Sequence, residues 1–224
     1  MRFQLSNEFI RRCITGFALG IGFWVVFSYF PPLCFSLALL LILLLIIIFE
    51  WTRFFSTSTP LFWTLMPLYL IIPFGMLISL NHSPEYHHLL FILFMMVFGF
   101  DTGSYLAGNL LGKTLIAPTM SPKKTWEGAI GGYIFSYCAA LFIIFEQGYA
   151  FPSLLFLALI TGITCTLALL GDLFESFLKR RVHLKHSGTL LPGHGGLLDR
   201  FDGIIFAVFF FYLYKNQLIQ IFYK

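Results

Sequence analysis

The stretch from Ser176 to Gly203 contains the residue types and spacings that most favour chemistry in this chain. It holds five of the fourteen Lys and Arg residues and three of the six His residues, together with a Pro-Gly-His-Gly-Gly turn. Asp199 and Asp202 complete the set. Cations, flexible glycines and acids gathered between two apolar runs are suited to hold a polyanion through a metal ion.

Polar residues with helical spacing lead into this stretch. Asp172, Glu175, Ser176 and Lys179 are spaced i, i+3, i+4 and i+7, so they share one face if the preceding apolar run continues as a helix. An ordinary ion pair at a solvated helix end would give the same pattern. Asp172, however, directly follows Gly171 at the apolar boundary, where a charge without a partner is costly.

Asp199 and Asp202 lie three residues apart at the start of the last long apolar run. Acids are common at a helix N-terminus, where the dipole and the free N–H groups favour them. Together with Asp172, they would also form an oxygen-rich cluster suited to Mg²⁺. We therefore predict Asp172, Asp199 and Asp202 as metal ligands, with Arg200 available for a phosphate.

The turn that contains His194, Gly195 and Gly196 has two interpretations. It is either a simple connection between helices or a loop whose backbone N–H groups converge on an anion. We predict that these three residues contact substrate, although a lone His in a Gly-rich turn is more often structural.

Two further polar segments lie upstream. Asp101 is an acid near the middle of an apolar run, and Ser104, Tyr105 and Gly108 continue its face at helical spacing; a helix-packing stripe is the alternative to a functional role. The segment that follows, residues 121–128, reads Ser-Pro-Lys-Lys-Thr-Trp-Glu-Gly. Its Ser-Pro pair favours a helix start, and its lysines and tryptophan favour the membrane interface.

The composition indicates an integral membrane protein. Hydrophobic residues make up 58% of the 224 residues and charged residues 11%, whereas charged residues are about 25% of a soluble domain. We predict an all-α, polytopic bundle that forms a single membrane domain, with scaffold spans in residues 1–88 and catalytic spans and loops in residues 89–224. About seven spans of ~20 residues fit the chain. The predicted spans are Cys13–Phe30, Leu33–Phe49, Leu61–Leu80, Leu89–Leu111, Gly128–Phe145, Phe151–Gly171 or beyond, and Leu198–Tyr214.

Basic residues are divided unequally between the two sides of this ladder of spans. One side receives twelve Lys and Arg residues, whereas the other receives only Lys215 and Lys224. The positive-inside rule then places the N-terminus and all the motif loops in the cytoplasm, on the inner face of the cell membrane.

The chain resembles the phosphatidate cytidylyltransferases, also called CDP-diacylglycerol synthases. The family's signature is matched by Ser176, Lys179, Arg180, Lys185, Gly188, Pro192, His194, Gly195, Gly196, Asp199, Arg200 and Asp202, and the family-like blocks D-T-G-S-Y and S-P-K-K-T-W-E-G precede it in order. One position departs, because the family pattern has Asp where this chain has His186.

The resemblance implies transfer of a cytidylyl group from CTP to phosphatidate in the lipid bilayer. It implies Mg²⁺, leaves open a second, monovalent cation, and suggests a homodimer; no nucleic-acid partner is expected. Asp172, Asp199, Asp202, Lys179 and Arg200 would be catalytic. Substrate contacts would come from Lys123, Lys124, Ser176, Arg180, Lys185, His194, Gly195, Gly196 and Asp101. A CTP-dependent lipid kinase and a membrane transporter are the alternatives, while the D-G-x-x-A-R signature of CDP-alcohol phosphotransferases is missing after Asp202.

The first prediction concerns orientation. In a background without the four native cysteines, Lys124→Cys and Lys185→Cys should be protected from a membrane-impermeant thiol reagent in intact cells, because their loops face the cytoplasm. His87→Cys should be labelled from outside. The reverse labelling pattern would contradict the predicted topology.

Overall fold

The computed structural model describes residues 20–146, 153–191 and 195–222. Eight helices in these ranges are named here in chain order. They are α1 Gly20–Tyr29, α2 Pro32–Phe54, α3 Pro60–His82, α4 Pro84–Leu111, α5 Trp126–Glu146, α6 Leu154–Arg181, α7 Leu198–Leu213 and α8 Lys215–Phe222.

The helices confirm a polytopic membrane protein. Within the described ranges, α2 to α6 are each long and apolar enough to cross a bilayer. Helices α7 and α8 meet at 81° and make a sixth crossing if the pair counts as one span. The predicted first span begins at Cys13, outside the described residues, and its described part is the short α1. The predicted count of about seven spans therefore stays a prediction.

A short hairpin corrects the all-α prediction. Strands β1 Leu115–Ala117 and β2 Ser121–Thr125 pair antiparallel between α4 and α5. The helix start predicted at Ser121 is wrong, because these residues pair with β1 and α5 begins at Trp126. Pro122, which has no N–H, is tolerated on an edge of this two-stranded sheet.

Helices α4 and α5 pack most closely of all the helix pairs in the described residues. A Cβ added to Gly103 would lie 2.5 Å from Phe135 Cβ and 2.7 Å from the Gly131 carbonyl oxygen. Two members of the predicted stripe also face α5, because a Cβ added to Gly132 would collide with Ser104 Oγ and one added to Gly128 would lie 3.3 Å from Gly108 Cα. These small residues serve helix packing, in the manner of many membrane interfaces. Tyr105, predicted on the inward stripe, is instead 65% exposed.

Two helices contain π-helical segments. In α2 the segment is Ile46–Trp51, and in α3 it is Pro67–Ile71, which begins at a proline. The first carries Glu50 and the second Tyr69, and both side chains are buried. The wider turns thus coincide with polar residues that point into the protein.

Helix α7 occupies a central position, since it packs against α3, α4 and α6. Its contact with α6 is tight at Gly171, where an added Cβ would collide with the backbone carbonyl of Asp202. Gly203 also lies near α6, with an added Cβ 3.3 Å from the Ala168 Cβ. This approach brings the acids of α6 and α7 together.

Candidate active site

Three carboxylates meet where α6 crosses α7. One oxygen each from Asp172, Glu175 and Asp202 lies within 4.8 Å of the others. Glu175 is fully buried and Asp202 is 8% exposed, so neither charge is well solvated by water. Like charges at this distance repel each other, so a nearby cation would stabilise the cluster.

The donor set fits a hard divalent cation. Mg²⁺ is usually held by one or two carboxylates together with several waters and substrate phosphates, and this cluster offers oxygen ligands of that kind. The Oε1 atom of Glu175 is buried and has no hydrogen-bond partner among the described residues, whereas its Oε2 accepts from Lys179 at 2.6 Å. An unpaired buried carboxylate oxygen next to two other acids is a group that could ligate a cation.

Asp199, a predicted metal ligand, lies in a different environment. Its Oδ1 accepts from Lys179 Nζ at 2.6 Å, and its Oδ2 accepts from the backbone N–H groups of Ser187 and Gly196. The structure therefore does not bring Asp199 into the three-acid cluster, and Glu175 occupies the third place. Since Glu175 follows Asp172 at i+3, their common face was visible in the sequence.

Lys179 links the two helices. Its ammonium lies between Glu175 on α6 and Asp199 on α7, and its residue is 8% exposed. The predicted shared face of Asp172, Glu175, Ser176 and Lys179 is confirmed, since Ser176 Oγ also donates to Asp172 Oδ1 at 3.4 Å. Lys179 thus serves as an internal counterion, with two of its donors already engaged.

The hairpin of β1 and β2 contacts the three-acid cluster. Lys124 in β2 forms an ion pair with Asp172. Arg180 donates from Nε to the Met120 carbonyl oxygen at 3.1 Å, which ties the hairpin to the end of α6. Lys123 and Lys185 are exposed. The hairpin segment and the polar end of α6 therefore meet.

The glycine turn makes internal hydrogen bonds. Gly195 has a φ of +87°, which favours glycine, and its N–H donates to Leu191 at 3.2 Å. The N–H of Gly196 donates to Asp199, so the N–H groups of the two described glycines of this turn have protein acceptors. His194 lies outside the described residues. His186 is exposed and approaches Asp199 at 3.8 Å rather than the three acids.

An apolar cavity of about 590 Å³ opens beside these residues. Asp101, Thr102 and Arg200 contribute polar side chains to its wall. Most of the remaining lining is apolar and comes from α1, α2, α4 and α7, including Phe35, Leu39, Phe94, Phe98 and Ile204. A cavity with this lining suits a ligand that is largely hydrocarbon and carries one charged end.

Two buried polar residues escaped the sequence analysis. Glu50 accepts hydrogen bonds from Ser187, Leu197 and Leu198. The hydroxyl of Tyr69 is buried without a partner among the described residues, and its ring packs on Phe174, two positions from Asp172. Glu50 could have been noticed in the sequence because it ends a long Leu/Ile run, and a charged residue at such a boundary requires a polar partner or water.

Comparison with known proteins finds a matching family and several similar proteins. Residues 7–218 match the model of the cytidylyltransferase family. The chain is 36% identical over 211 residues to the phosphatidate cytidylyltransferase of Rickettsia bellii, which covers 90% of this chain and 88% of the relative. It is 32% identical over 221 residues to that of Rickettsia conorii, with 96% and 94% covered. The Bacillus subtilis phosphatidate cytidylyltransferase is 38% identical over 153 residues, with 67% and 56% covered.

The second prediction concerns Lys179. The Lys179→Met variant leaves Glu175 and Asp199 buried without their cation, so we expect the free energy of unfolding to fall by about 3–5 kcal/mol. Lys123→Met, at an exposed position of β2, should change it by less than about 0.5 kcal/mol. Unfolding in detergent with chelator measures both, and equal stability of the two variants would contradict the counterion role.

Proposed function

The chain belongs to the cytidylyltransferase family, and on that premise we propose that it transfers the cytidylyl group of CTP to phosphatidate, giving CDP-diacylglycerol and pyrophosphate. One observation carries the proposal. The three-acid cluster of Asp172, Glu175 and Asp202 lies next to Lys124, with a largely apolar cavity nearby. A site for a polyphosphate beside a site for hydrocarbon is what a reaction between a nucleotide and a lipid requires.

The reaction needs positioning and charge neutralisation rather than a covalent intermediate. A phosphate oxygen of phosphatidate attacks the α-phosphorus of CTP and forms a new P–O bond. The bond from the α-phosphorus to the oxygen that bridges to the β-phosphorus breaks, and pyrophosphate leaves with the electron pair. Negative charge grows on the leaving group, so cationic side chains placed there lower the barrier.

Asp172, Glu175 and Asp202 would hold Mg²⁺ in this proposal. The bound ion supplies neutralisation of phosphate charge. Asp199 remains a proposed catalytic residue, through its ion pair with Lys179 rather than through the cluster. Ser176 would orient Asp172, to which it donates a hydrogen bond.

Basic residues around the cluster would bind the phosphates. Lys124 is the nearest, since it already pairs with Asp172 and can exchange that carboxylate for a phosphate. Arg200 faces the cavity and suits the phosphate of the lipid. Lys123 and Lys185 are exposed and available to the nucleotide, while Arg180 fixes the hairpin.

The cavity would take an acyl chain of phosphatidate. Its phenylalanine and leucine lining matches hydrocarbon, and Asp101 and Arg200 mark the end at which the headgroup would lie. Such an arrangement would leave the lipid phosphate at the border of the apolar space.

Three further proposals concern the orientation of the site, the division of the spans and the oligomeric state. We propose that the site faces the cytoplasm across the inner membrane, because the basic residues of the motif loops lie on one side of the spans. The division into scaffold spans and catalytic spans is also retained, as is a homodimer. These rest on the sequence pattern and on the family resemblance.

The third prediction separates cytidylyl transfer from the lipid kinase alternative. Purified protein given phosphatidate, a polyprenol, Mg²⁺ and CTP labelled at the α-phosphorus should place the label in lipid, whereas CTP labelled at the γ-phosphorus should release it as pyrophosphate. Asp202→Asn should lower the rate about 10²-fold, on the scale of losing one group from a preorganised site. Glu85→Gln, at an exposed position of α4, is the matched control. Transfer of the γ-label to a lipid alcohol would overturn the proposal.

A further inference from the structure

Glu50 is a buried carboxylate that accepts hydrogen bonds from the motif segment, residues 176–203. It is fully buried in the π-helical turn of α2. Its Oε1 accepts from Leu197 N–H at 2.7 Å, and its Oε2 accepts from Leu198 N–H at 2.8 Å and from Ser187 Oγ at 3.0 Å. No Lys or Arg of the described ranges forms an ion pair with it.

These contacts replace the missing cap of α7. A helix begins with N–H groups that have no partner inside the helix, and a side chain of the residue before it usually satisfies one of them. That residue here is Leu197, whose apolar side chain makes no capping hydrogen bond. Glu50 supplies the acceptors from a different helix, at the positive end of the α7 dipole.

Two glycines make room for this carboxylate. A Cβ added to Gly188 would lie 2.6 Å from Glu50 Oε1, and one added to Gly196 would lie 2.7 Å from both carboxylate oxygens. Any larger residue at either position would displace the side chain of Glu50. The glycines of the motif segment therefore form a socket for Glu50, in addition to any role toward substrate.

We propose that Glu50 is a positioning residue for the three-acid cluster. Leu198, whose N–H it accepts, lies one helical turn before Asp202 on α7. Fixing the first turn of α7 fixes the height and rotation at which Asp202 meets Asp172 and Glu175. Glu50 acts through α7 and does not touch the reacting groups; its effect on turnover rests on the function proposed above.

The fourth prediction tests this with three substitutions. Glu50→Gln keeps the shape but loses the charge and one acceptor, so we expect Mn²⁺ affinity and kcat to fall about 10- to 100-fold, the range typical for residues that orient metal ligands. KM for CTP should change little. Glu50→Asp keeps both acceptor oxygens and should recover part of the loss. Glu50→Ala should be weakest, and Glu85→Gln should match wild type.

A merely structural role must be separated from positioning. Leu89→Ala, which opens a hole in the fully buried apolar core of α4, should lower Tm without weakening Mn²⁺ binding. Binding is measured by electron paramagnetic resonance of free Mn²⁺ below the unfolding temperature of each variant, with no substrate present. The proposal is supported if Glu50→Gln loses more affinity than Leu89→Ala at an equal or smaller loss of Tm.

Other results decide against it. If Glu50→Gln lowers Tm but keeps wild-type Mn²⁺ affinity and kcat, or if the wild type binds no Mn²⁺, the inference is overturned. If the wild type binds Mn²⁺, Glu50→Gln binds it weakly and neither forms CDP-diacylglycerol, the positioning role stands and the proposed function fails.

Discussion

Three carboxylates share one small volume in this protein, and the rest of the site depends on the close approach of two helix backbones that this requires and on the offset of the carboxylates' mutual repulsion. Gly171 permits the approach, since any side chain there would strike the Asp202 carbonyl. Lys179 offsets part of the charge from between Glu175 and Asp199, and Lys124 does so from the hairpin. The remaining charge is negative and favours a divalent cation, which could in turn bind the oxygens of a polyphosphate.

Charge and hydrogen bonding also connect elements that are far apart in the chain. Helix α6 supplies Asp172, Glu175 and Lys179, α7 supplies Asp199 and Asp202, and Glu50 comes from α2. The N–H groups of residues 196, 197 and 198 are all accepted by Asp199 or Glu50. The first turn of α7 is thus held by acids of the protein itself.

The spacing of polar and apolar residues in the sequence predicted much of this arrangement. The features that it did not predict depend on contacts between residues far apart in the chain. Spacing alone placed Asp172, Glu175, Ser176 and Lys179 on one face, and apolar runs predicted the long membrane helices. Spacing could not predict the ion pair between Lys179 and Asp199, because Asp199 and Asp202 suit a metal equally well when only the sequence is considered. Glu50 lies 137 positions from Ser187, so no sequence interval connects them. The hairpin was missed because Ser-Pro also suits a helix start.

The most direct test of the account is the position of a bound ion. A crystal structure of the protein grown with Mn²⁺ locates the ion by its anomalous scattering. The account predicts a peak between the carboxylates of Asp172, Glu175 and Asp202, with Asp199 still paired to Lys179. A peak at Asp199, or an ion that leaves Glu175 without contact, would contradict it.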